Sequence, residues 1–184
     1  MKLQLQYASK RFNDLTILDD VSLTFTTGTI YGLKGDNGSG KTVLLKLLCG
    51  YLHLDKGEIL QDKRNIGRKQ QYIQHAGIVI ENVQFLPHLT LWENLALLKR
   101  MSPIVTDEKI RYWIDYYQLE AYQNISYRKL SLGTKQKLAL IQAFIHEPEV
   151  LLLDEPMNAL DEKSVKLTEQ VILQHKENRL VLLT

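Results

Sequence analysis

The first third of the chain alternates apolar and polar residues, and the period then changes. "LQLQY" (Leu3–Tyr7) steps in and out of register with a period of two, which predicts a strand with one buried face. "VSLTF" and "TIYGLKG" read as further strands, with the turn signals "FND" and "TTG" between them. A helix is expected from about Lys41 to Cys49, with Gly50 as its C-terminal stop. "GEILQ" and "AGIVIE" suggest two more strands. From about Leu91 to Tyr122 the apolar spacing turns helical, in "LWENLALLKRM" and, beyond a break at Pro103, in "DEKIRYWIDYYQL". "LSLGTKQKLALIQAFI" predicts another helix, ended by Pro148. "EVLLLDEP" is a short apolar run closing on two acids, which suits a buried parallel strand. "DEKSVKLTEQVILQHK" predicts a helix and "RLVLLT" a last strand.

Strands alternating with helices imply an α/β fold: a mixed, mainly parallel sheet covered on both faces, an antiparallel β flank from the early strands, and a helical subdomain. With 184 residues, 45% of them hydrophobic, the chain can bury one core and is too short for two full domains. The expected division places residues 1–90 and 146–184 in the core and about 91–145 in the helical subdomain.

Charge and cysteine content narrow the partners. With 23 basic and 21 acidic residues the net charge is +2, so no nucleic-acid partner is expected. The single cysteine, Cys49, cannot form an internal disulfide and is expected to pack as a small buried hydrophobe. "MKLQLQYASKRF" alternates and lacks the apolar centre of a leader, so none is expected. The apolar runs fall far short of the roughly 20 residues that cross a bilayer. A role at a membrane therefore calls for another polypeptide.

Two stretches carry chemistry. Gly35-Asp36-Asn37-Gly38-Ser39-Gly40-Lys41-Thr42 matches G-x-x-x-x-G-K-[ST] and lies between a predicted strand and a predicted helix, the context the motif requires. Its glycines let the backbone wrap a phosphate, Lys41 can reach the β- and γ-phosphates, and Thr42 Oγ can bind Mg²⁺. "VLLLDEP" puts Asp154 and Glu155 at the carboxyl end of a buried strand, the edge that faces the ligand crevice in such sheets. Asp154 suits Mg²⁺, and Glu155 is placed to orient or deprotonate water. The bland alternatives are a helix-capping turn and a pair of turn acids. "KLSLGTKQK" is a second helix start with an anion-seeking look; on its own, Ser131 reads equally as an ordinary N-cap.

Taken together and in order, these motifs resemble the ATP-binding-cassette (ABC) ATPases over essentially the whole chain. "GDNGSGKT" is similar to Walker A, "VLLLDEP" to Walker B, "LSLGT" to the family signature and "NALD" (Asn158–Asp161) to the D-loop. The resemblance implies a P-loop NTPase core that binds ATP and Mg²⁺. Its nucleotide contacts would be Phe12 on the adenine together with Gly35, Asn37, Gly38, Ser39, Gly40, Lys41, Thr42 and Val43. Thr42, Glu81 and Asp154 would hold the metal, and Lys41 and Glu155 would be catalytic. It also implies that two cassettes, identical or different, pair head-to-tail, so that Ser131 and Gly133 serve the partner's ATP. A transmembrane permease subunit would dock on a groove near Phe85, Leu86, Pro87 and Leu89, holding the chain at the cytoplasmic face of the membrane.

Three departures qualify the likeness. Glu81 stands where the family usually has a glutamine, with Gln84 out of register. Leu132 and Thr134 replace the commoner Gly and Gln of the signature. Both changes resemble bacitracin- and lantibiotic-type export or self-immunity cassettes, which points to an exporter. The chain also stops at Thr184, before the family's switch histidine, and is expected to be either shortened or naturally minimal. His53, His75, His88, His146 and His175 are not placed to substitute. Tyr112, Trp113, Tyr116 and Tyr117 sit at helical spacing and are expected to pack the subdomain rather than stack on bases. The alternatives are a catalytically weak regulatory nucleotide binder, a soluble non-transport ABC ATPase and a phosphate-loop kinase; the last leaves "LSLGT" and "NALD" unexplained.

Overall fold

Val150–Leu153 is the most deeply buried strand, and its side chains divide two cores. Val150 and Leu152 pack into one cluster, Leu151 and Leu153 into the other, and all four are fully inaccessible. This is the period-two consequence of a strand covered on both faces. The computed structural model describes residues 1–67, 71–174 and 176–184. His175 therefore lies outside the described residues.

The elements in chain order are β1 (Lys2–Phe12), β2 (Leu15–Thr26), β3 (Ile30–Gly32), α1 (Lys41–Cys49), β4 (Lys56–Gln61), β5 (Arg64–Ile66), β6 (Ala76–Val79), α2 (Leu91–Leu97), α3 (Asp107–Tyr116), α4 (Leu132–Phe144), β7 (Val150–Leu153), α5 (Glu162–Gln174) and β8 (Leu180–Leu183). They form a parallel sheet of order β3-β8-β7-β6 and an antiparallel sheet of order β2-β1-β4-β5. The first core joins α1 to the antiparallel sheet through Leu3, Leu5, Ile59, Leu45 and Leu48. The second joins the other face of the parallel sheet to helices α2 to α5. The α/β class with an antiparallel flank is thus as expected. Two details differ. Strand β2 starts at Leu15, well before "VSLTF", because its outer residues are largely exposed and give no apolar signal. The three-residue strand β5 follows a turn in which Asp62 and Lys63 both take positive φ, chemistry that "DK" does not advertise.

Local signals explain most element ends. Gly50 caps α1 in the left-handed conformation and donates back to the last turn. Thr90 and Glu93 form a reciprocal capping box that starts α2. Gly77 has a packing reason: a Cβ there would lie 2.0 Å from the Ala143 carbonyl oxygen, so only glycine lets α4 seat directly on β6. Trp113 and Tyr117 of the aromatic run are buried, stacked on each other and close to Phe144, while Tyr112 stays exposed. Tyr116 and Tyr117 bond by their hydroxyls to Leu167 O and Thr168 Oγ1 of α5. The run is core and rim, as its spacing implied. Cys49 is buried, and burial pushes its thiol up to about 12, which leaves it chemically quiet.

Candidate functional site

The loop between β3 and α1 ends in Gly40, which precedes the helix with a φ of 93°. Gly38 also takes positive φ, at 82°. These are backbone angles that side-chain-bearing residues rarely adopt. The start of α1 has no side-chain cap and no acidic residue in its first turn. Its orphan N–H groups and the positive end of its dipole are therefore unneutralised, which is what an anion needs. Lys41 Nζ donates to its own loop, to Gly35 O at 2.7 Å and Asp36 O at 2.9 Å. Phosphate oxygens can take over those contacts.

The parallel register brings the acids to this loop. Val79 pairs with Leu153, and the Asp154 N–H donates to Val79 O across the strand ends. Both carboxylate oxygens of Asp154 accept hydroxyl hydrogen bonds, Oδ2 from Thr42 Oγ1 at 2.7 Å and Oδ1 from Thr184 Oγ1 at 3.0 Å. The same Thr184 Oγ1 accepts from the Glu155 N–H at 2.8 Å. Glu155 is exposed, has a φ of 44°, and its carboxylate accepts from Asn158 Nδ2.

A cavity of about 420 Å³ is lined by Phe12, Leu15, Ile17, Asn37, Gly38, Gly40, Lys41, Thr42, Val43 and Glu155. It unites the aromatic, the loop and the acid that the sequence had placed in three separate stretches. Phe12 is 42% exposed, with the Lys10 ammonium 5.0 Å from its ring centre. Gly35 and Ser39 close the loop from behind: a Cβ on Gly35 would meet Ser39 Oγ at 2.6 Å. Glu81 is not part of this cavity. It sits just beyond β6 at a φ of 54° and is ion-paired with Lys46 Nζ at 2.5 Å.

Ser131 and Gly133 stand elsewhere, at the start of α4. The Ser131 hydroxyl accepts from the Thr134 N–H at 3.2 Å, so it caps its own helix. Gly133 lies under the Asn158–Asp161 turn, where a Cβ would come within 2.6 Å of Ala159 O. Leu132 between them is 65% exposed. Asp161 ties the two segments together through its ion pair with Lys137 at 2.9 Å and its bonds to Ser164 at the start of α5. Lys137 and the Ser164 N–H hold the Asp161 carboxyl well below the usual carboxylate range.

Sequence reasoning missed Thr184, Lys46 and Asn158 as site groups. For Lys46 a signal existed: it follows Thr42 by one helical turn and so shares its face. Thr184 gave none, since its partners are residues of another strand. His53, His75, His88 and His146 line no part of the loop cavity.

The metal-binding residues can be judged by their chemistry. Thr42 and Asp154 offer oxygen only, and among the described residues no group of three or more His, Cys, Asp or Glu side chains converges. A sparse set of hard oxygens fits Mg²⁺, which completes its shell with waters and substrate phosphates rather than a protein cage.

A separate apolar groove of about 740 Å³ is lined by Ile78, Ile80, Val83, Phe85, Leu86, Leu97 and Met101, among others. Buried Asn94 fixes its rim by bonding to both the N–H and the carbonyl of Leu86. Phe85 and Leu86 face it; Pro87 does not, and Leu89 lines a neighbouring hollow with Trp92.

A phosphate loop on a parallel sheet, with an acidic strand end bonded to the loop threonine, defines a P-loop NTPase fold. The sequence profile of the family described as "ABC transporter" matches residues 18–158. The Bacillus subtilis ABC transporter ATP-binding protein YybJ is 40% identical over 169 residues, 92% of this chain and 78% of that protein. A second Bacillus subtilis ABC transporter ATP-binding protein, YhcH, is 34% identical over 89% of this chain and 54% of its own length. A solved ATP-binding subunit of an ABC transporter superposes with a TM-score of 0.87 over the whole chain and 78% of its own, at 23% identity. A putative ABC transporter ATP-binding protein from Pyrococcus furiosus does so at 0.82, covering 90% of its chain at 24% identity. The chain belongs to the ABC transporter family and has the fold of its ATPase domains. Among the described residues no helix is long and apolar enough to cross a membrane.

Proposed function

We propose that this chain is the ATP-binding and ATP-hydrolysing subunit of an ABC transporter, working at the cytoplasmic face of a membrane through a separate permease subunit. One observation carries the reading: a single cavity gathers Phe12, the phosphate loop and Glu155, beside a Thr42–Asp154 bond. Phe12 offers its exposed ring to the adenine. The free N–H groups of the loop and of the first turn of α1 bind the phosphates, and Lys41 exchanges its two loop carbonyls for phosphate oxygens. Thr42 and Asp154 hold the magnesium, which when bound neutralises charge on the β- and γ-phosphates. Glu155 accepts a proton from the attacking water, and Asn158 and Thr184 orient it.

Pairing of two cassettes gives the second helix start a use. The start of α4, with Leu132 exposed at its tip, would close on the neighbour's triphosphate, so ATP binding would draw two copies together. The apolar groove at Phe85 and Leu86 suits a short permease segment, and the export direction rests on Glu81 and Leu132, which resemble export cassettes.

Two expected results bear on this reading. Leu132→Glu keeps the Ser131 cap and adds an acid in the first turn of α4, so folding and nucleotide affinity of the single chain stay as they are. It sets a negative charge against the neighbour's phosphates, and light scattering with Mg·ATP should find monomer where the unmodified chain dimerises. A Leu132→Glu protein that dimerises normally would remove the signature helix from the interface. Thr184→Val keeps the side-chain shape but strips the Glu155 N–H and an Asp154 oxygen of their shared partner. Turnover should fall by about two- to fivefold, in line with roughly 0.5–1 kcal/mol for a hydrogen bond that water can partly replace, with Thr184→Ser retaining most of it. Equal turnover in all three proteins would make Thr184 a bystander.

A further inference from the structure

We propose that Lys46 is a positioning residue for Glu81: it supplies the counter-charge for a carboxylate at the strand end next to that of Asp154, and thereby sets how tightly the site takes its nucleotide. The inference rests on the ATP-binding reading and deepens it. Three observations support it. Lys46 follows Thr42 by one turn on α1, so it lies on the helix face that carries the Asp154 contact. Its Nζ is 2.5 Å from Glu81 Oε1, which ties the helix behind the phosphate loop to the end of β6. Glu81 and Asp154 follow neighbouring strands, β6 and β7, that run in parallel register, so two carboxylates stand at adjacent strand ends.

The electrostatics follow directly. A triphosphate arriving at the loop meets the field of the Asp154 carboxylate, already fixed by two hydroxyls, and of the Glu81 carboxylate that follows the neighbouring strand, outside the cavity itself. Without Lys46 the second carboxylate repels the phosphates uncompensated; with it, the pair is neutral. The Glu81 side chain is 60% exposed and that of Lys46 27%, so solvent moderates the interaction, and an effect of moderate size is expected. Glu81 takes a left-handed backbone angle that non-glycine residues seldom adopt, so its place is specified by the surrounding structure.

The test is a binding titration with a fluorescent non-hydrolysable ATP analogue, with and without Mg²⁺. It compares the unmodified chain with K46M, K46R, E81Q and the E81Q/K46M double variant. K46M should weaken Mg²⁺-supported binding by about two- to fivefold, K46R should restore most of that loss, and K46M should have little effect once Glu81 is Gln. E81Q alone frees Lys46 and should tighten Mg²⁺-free binding; this arm stands even if K46M does not fold. Equal weakening by K46M in both backgrounds would mean that Lys46 acts on the phosphates directly, and would overturn the proposal. So would a K46M protein that binds like the unmodified chain, or an E81Q protein that binds metal-free nucleotide more weakly. Failure of the unmodified chain to bind the analogue would overturn the nucleotide reading itself, and the proposal with it.

Discussion

Glu155→Gln is expected to lose ATP turnover by about 10²–10⁴-fold, the usual contribution of a general base, while still binding nucleotide. The amide keeps the size of the carboxylate and can still meet Asn158, and the backbone bond from Glu155 N to Thr184 Oγ1 is untouched. What it loses is the capacity to take a proton from water. None of the groups proposed to hold the phosphates changes: Lys41, Thr42 and the free N–H groups at the start of α1 all remain. Bound nucleotide should therefore persist, and chains paired across it should accumulate. Phosphate release measures the first effect, and light scattering with Mg·ATP measures the second. Unchanged turnover would remove Glu155 from its role; lost binding would mean that it belongs to the phosphate cradle instead.

The second large effect is structural. Gly77→Ala places a methyl group where the Ala143 carbonyl oxygen is 2.0 Å away and the Leu151 side chain 2.9 Å away. One contact is helix backbone and the other is a fully buried core side chain, so neither can yield cheaply. Overpacking of this kind costs typically ~1–3 kcal/mol and sometimes more. At this chain length each 1 kcal/mol shifts the midpoint of thermal unfolding by roughly 2–4 °C, so a loss of roughly 2–12 °C is expected. Because α4 carries Ser131 at its start, a displaced α4 should also impair the proposed ATP-driven pairing before it affects nucleotide binding. Calorimetry of the variant with an ATP analogue separates the two, and an unshifted midpoint would mean that α4 does not sit on β6 as described.

How much of this could be read from the chain depended on whether the information was local. The phosphate loop is encoded within eight consecutive residues, and the acids by the end of one apolar run, so both were plain. The period-two pattern gave β1, and the helical period gave α2 to α5. Strand β5 was missed because it is three residues long and partly exposed. The Lys46–Glu81 pair joins residues 35 positions apart, and the Thr184–Asp154 bond spans 30, so neither leaves a pattern in sequence. Ser131 was ambiguous because one hydroxyl suits both a helix cap and an anion. In the isolated chain it is the cap; the proposed nucleotide role would need a neighbour.

Strand β7 offers its side chains to two cores at once, and this limits what can travel in the molecule. A mounting clamped from above and below cannot slide without disturbing both halves of the interior. Asp154 and Glu155 therefore stand on a fixed post. The parts held by polar contacts rather than by a core have more freedom: the Lys41 ammonium on its two loop carbonyls, the Glu81 turn on Lys46, and Asn158 on Glu155.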